Sequence, residues 1–83
     1  MSASREQLAA RTKQLNAIVD NIFEVFESVH EMFRNWKHEY HMSFIEQVTR
    51  LQKLEAELSM LGYDKDFILT LKQTIYRSIF ADR

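Results

Sequence analysis

Five apolar residues recur at seven-residue steps through the first half of the chain: Leu8, Leu15, Ile22, Val29 and Trp36. Such a repeat keeps one seam of a long helix turned toward a partner surface, whereas a strand alternates its faces every second residue. With Leu8 in the a column, the d column runs Arg11, Ile18, Val25, Met32, Glu39, and the e column Thr12, Val19, Phe26, Phe33, Tyr40. The opposite columns hold Lys13, Asp20, Glu27, Arg34 and the amides Gln14, Asn21 and Asn35, as a solvent face requires. Phe23 beside Ile22 widens the apolar stripe further. A stripe this wide suits packing against two neighbours rather than a narrow two-stranded zipper.

Nothing later in the chain contradicts a helical reading. There is no proline and one glycine, Gly62, so little interrupts a helix, and the fold class is all-α. Ser43-Phe44-Ile45-Glu46 has the form of a capping box, which predicts a break near His41 to Ser43 and a first helix over about residues 4–40. Phe44, Val48, Leu51, Leu54, Leu58 and Leu61 then mark a second helix, about 44–61, closed by Gly62 as a left-handed cap. Asp64 stands where an N-cap belongs, and Phe67, Ile68, Leu71, Ile75 and Ile79, flanked by Tyr76 and Phe80, predict a third helix over about 65–81. All three belong to one domain.

Leu61-Gly62-Tyr63-Asp64 resembles, over those four residues, the Leu-Gly-x-Asp-Ser-Leu signature of acyl carrier proteins. Lys65 stands where that family has the serine that bears phosphopantetheine, so the resemblance implies no prosthetic group. A cap glycine followed by a cap aspartate accounts for the same letters.

Length then bears on assembly. A first helix running from Ser4 to Tyr40 would be roughly 55 Å long, against a radius of gyration of about 12 Å for a compact domain of this size. Two helices of about half that length, folded back on its C-terminal half, would leave Leu8, Leu15, Ile18 and Val19 without intramolecular cover. With 83 residues and no cysteine, neither a large core nor disulfides supplement stability. The expectation is a helical hairpin or three-helix bundle completed by a second chain, in a homodimer or with a helical partner. The competing geometry bends the first helix near Asn16 or Ser28 and closes a monomeric bundle.

Several function classes lose ground on composition. A net charge of −1 argues against a role built on nucleic-acid binding. No stretch approaches the ~18 unbroken apolar residues of a membrane span, and the acidic face disfavours an anionic membrane surface. Absence of a secretory signal makes the cytoplasm the default location. Glu27-Ser28-Val29-His30 has the Glu-x-x-His step of di-iron bundles, yet Glu27 falls in an outer column, so no metal or cofactor is expected. His38 and His41 do not have zincin spacing. Asp20, Glu24, Glu27 and Glu31, with no Lys or Arg between Gln14 and Phe33, form an acidic run suited to a basic partner.

The resulting expectation is a non-enzymatic interaction protein such as an adaptor, chaperone or inhibitor subunit. Its interface residues would be Leu8, Leu15, Ile18, Val19, Ile22, Phe26, Val29, Phe33, Trp36 and Tyr40. The rival readings are a dimeric metal-binding bundle using Glu27 and His30, and a small transcription regulator presenting Lys65, Lys72 and Arg77.

Overall fold

The protein's structure, a computed structural model, describes residues 2–81, with side chains from residue 5 onward. Three helices follow one another: α1 (Ser2–Arg34), α2 (His41–Met60) and α3 (Lys65–Phe80), with a 3-10 turn over His38–Tyr40 leading into α2. They run up, down and up, and no strand occurs among the described residues.

The helix α1 is continuous through both Asn16 and Ser28, but it ends at Arg34 rather than at Tyr40. Asn35 is a poor helix former, and two residues later Lys37 is extended, with φ −127° and ψ 146°. The Tyr40 N–H then donates to the Lys37 carbonyl at 2.9 Å, closing a tight reversal. Trp36 therefore belongs to the turn. Ring packing across the reversal wins over the local seven-residue pattern, which would have carried the helix onward. Ser43 is not the cap either. The 3-10 turn runs directly into α2, the His41 N–H bonds the His38 carbonyl, and no side chain caps the helix. Ser43 lies inside the first turn, because the 3-10 carbonyls already accept from the early N–H groups.

The second corner follows the sequence closely. Gly62 has φ +100°, its N–H donates to Ser59 O at 3.0 Å, and the Tyr63 N–H reaches Leu58 O at 3.1 Å. These are the paired bonds of a left-handed helix terminus, which favours a residue without a Cβ. Asp64 Oδ1 accepts from the Phe67 N–H at 2.8 Å and caps α3.

The core draws on all three helices: Ile18, Ile22 and Val25 from α1, Leu54 and Leu58 from α2, Ile68 and Ile75 from α3. Leu15, Val19 and Phe23 pack against it half-buried. This corrects one expectation, since α2 and α3 themselves cover Leu15, Ile18 and Val19. The shorter helices reach further up α1 than a break at residue 41 allows, because the reversal begins at residue 35.

Polar contacts fix the relative levels. Arg50 of α2 donates to Asn21 Oδ1 at 2.7 Å and to Glu24 Oε1 at 3.1 Å, locking α1 to α2, and Lys72 of α3 meets Glu55 of α2 at 2.9 Å. Arg11 explains its own place in an apolar column. Its Nη2 donates to Leu61 O at 2.7 Å, and its guanidinium lies 6.0 Å from the Tyr63 ring centre. A cation thus satisfies a carbonyl at the negative end of α2. Beyond Arg11, α1 projects alone, and Leu8 is 64% exposed. The molecule measures 54 × 27 × 20 Å, its longest dimension set by the 33 residues of α1. Its radius of gyration of 15.1 Å exceeds the about 12 Å of a compact chain of this length.

Candidate functional site

The reversal between α1 and α2 gathers four rings from residues far enough apart to straddle it. Phe33 lies 5.7 Å from Phe44 between ring centres, and Trp36 lies 6.1 Å from Phe33, 6.1 Å from Phe44 and 6.2 Å from Tyr40. These separations and tilts are those of favourable aromatic contacts. The cluster remains open to solvent, with Phe33 55% and Trp36 46% exposed.

Behind the rings runs a groove of about 270 Å³ into which no polar surface opens. Val25, Phe26, Val29 and Phe33 of α1 form one wall, and Phe44, Val48 and Leu51 of α2 the other. Tyr76 and Phe80 of α3 close its end. Helix lengths explain the opening. The antiparallel Lys72–Glu55 contact sets the level of α3 against α2, and eight residues onward in α3, matched by eight back in α2, bring Phe80 opposite Gln47. Residues 41–46 of α2 and the end of α1 consequently lack a third helix. Phe80 finishes α3 by stacking on Tyr76, 4.3 Å between centres, and by meeting the His30 ring edge-on at 4.6 Å.

Of the ten interface residues expected from sequence, five gather around this groove: Phe26, Val29 and Phe33 on its wall, Trp36 and Tyr40 at its lip. Ile18 and Ile22 lie in the chain's own core, with Leu15 and Val19 packed against it. Leu8 stands alone at the far end of α1. Sequence reasoning missed Val25, Phe44, Val48, Leu51, Tyr76 and Phe80 as parts of the site, along with the exposed Met42 and Ile45 nearby in α2. The available signal was surplus: Ile45 beside Phe44, and Tyr76 and Phe80 beside Ile75 and Ile79, exceed what one apolar stripe uses.

Other candidate groups have local employment. Glu24 pairs with Arg50 and Glu31 with Arg34 at 3.6 Å, so the acidic run is partly neutralised within the chain. Glu27 and His30 border an open depression of about 760 Å³ with Phe23, Glu31, Arg34, Ser78 and Ile79. Among the described residues, no group of three or more His, Cys, Asp or Glu is placed to hold a metal ion. Lys72 pairs with Glu55 at 2.9 Å, and it lines one depression with Lys65 and another with Arg77. No helix among the described residues is long and apolar enough to cross a membrane. No protein-family model, curated protein or solved structure matches the chain.

Proposed function

We propose that this protein is a non-enzymatic interaction module of the adaptor, chaperone or inhibitor-subunit kind, which docks an apolar helix in the groove between α1 and α2. The observation that carries the reading is the combination of a wholly apolar groove with two large rings left half-exposed at its lip. Covering what remains open of Phe33 and Trp36 removes on the order of 200 Å² of apolar surface from water, a gross gain of about 5 kcal/mol before association costs. A groove walled by helices and lined by apolar side chains favours the apolar face of a helix as occupant. A cytoplasmic setting fits a chain without cysteine.

Trp36 is the single tryptophan and sits at the lip, so its emission reports on the groove. Titrating amphipathic helical peptides of three to four turns should give a saturable blue shift in the parent chain. Val48→Lys, at a position already 37% exposed, should abolish the shift while leaving helicity unchanged. Unaltered binding by Val48→Lys would refute this site.

A further inference from the structure

The first turns of α2 bear apolar side chains on two sides. Phe44 and Val48 form a wall of the groove, while Met42 and Ile45 point outward, 64% and 42% exposed. This one segment therefore offers both a groove wall and an apolar ridge. The unfilled place continues the line of α3 beyond Phe80, and α3 is antiparallel to α2 because Gly62 reverses the chain between them.

Resting on the docking reading above, we propose that the occupant is the same segment of a second copy, residues 41–48, in a two-fold arrangement across the groove. A two-fold axis perpendicular to α2 sets it antiparallel to its symmetry mate and lets each ridge enter the other copy's groove. The lengths agree. Residues 41–46 extend past the end of α3 by about 9 Å, nearly two helical turns, which is the span a symmetry mate's first turns supply. The area agrees as well. The exposed portions of Phe33, Trp36, Met42, Ile45, Val48 and Tyr76 amount to roughly 600 Å² of apolar surface, at the upper end for a monomer's largest patch. A standard interface buries about 800 Å² per partner, and the polar rim of such a contact supplies the difference. The isolated Leu8 at the opposite end offers no comparable area.

The natural chain has no cysteine, so a single introduced thiol reports unambiguously. Light scattering across a dilution series should give twice the chain mass, falling to the chain mass in Ile45→Lys with circular dichroism unchanged. Mild oxidation should link Ile45→Cys into a covalent dimer and leave Met60→Cys, 87% exposed at the other end of α2, largely unlinked. A dimer that survives Ile45→Lys, or one that links through Gln7→Cys on the projecting part of α1 in place of Ile45→Cys, overturns the proposed arrangement. The dye 1-anilinonaphthalene-8-sulfonate separates the remaining outcomes. A chain that stays monomeric at millimolar concentration, yet binds the dye in a manner lost in Val48→Lys, overturns the second copy and leaves the docking groove standing. A monomer that binds no dye overturns both.

Discussion

Arg11 offers a sharp test of how α1 is tied to the corner between α2 and α3. Replacing it by Ala removes the 2.7 Å bond to Leu61 O, the cation at the α2 C-terminus and the guanidinium above Tyr63. Because Arg11 is exposed, the substitution opens no cavity, and Ala and Arg differ little in helix propensity. The charged hydrogen bond, the helix-end interaction and the exposed cation–π contact together are worth about 1.5 kcal/mol. For a domain of this length the corresponding loss in melting temperature is about 8 °C, measurable by far-ultraviolet circular dichroism. Arg11→Lys separates the components, since an ammonium keeps the charge and loses the planar stacking group, so roughly half of the loss should return. A melting temperature within 1 °C of the parent for Arg11→Ala, on the order of instrument error and far below the value worked out here, would refute the reasoning.

Gly62→Ala should cost about 1–2 kcal/mol in chemical denaturation, because φ +100° is strained for any L-residue although the nearest atom to a new Cβ, Arg11 Nη2, is 3.8 Å away. Ile22→Asp, at a fully buried position, should cost at least about 4 kcal/mol and abolish cooperative melting, whereas Trp36→Ser at the open lip should retain most of the fold. Equal melting curves for those two variants would contradict the assignment of core and site. A double-mutant cycle on Glu55 and Lys72, half-buried and 2.9 Å apart, should give a coupling of about 0.5–1 kcal/mol that declines in high salt.

The parts of the fold legible in the sequence are those decided locally. Gly62 and Asp64 signal a corner because a left-handed backbone and a capping carboxylate are properties of single residues and their immediate neighbours. The three amphipathic stripes are legible for the same reason. The end of α1 was not, since the seven-residue series runs through Trp36 with no breaker, and the reversal at residue 35 is held by rings that meet only once Phe44 has folded back. The role of Arg11 in the d column was not legible because its acceptor, Leu61 O, lies 50 residues away in sequence. The groove was half visible. Its α1 wall follows from the stripe, but its depth depends on α3 stopping opposite Gln47, a length difference that emerges only when Lys72 and Glu55 fix the level of two helices.

The projecting part of α1 gives one continuous helix two thermodynamic identities. From Leu15 onward its amides sit in a packed bundle and exchange with solvent only when the domain opens. Residues 5–10 have no buried side chain, so their hydrogen bonds persist only by propagation from the docked turns below, and each lost turn costs little more than a helix–coil step. Fraying there runs on the sub-microsecond scale of peptide helices. Hydrogen exchange should therefore read α1 as a steep ladder, nearly unprotected at Ala9 and Ala10 and fully protected at Ile22, with the Arg11 bond to Leu61 marking the rung where the two regimes meet.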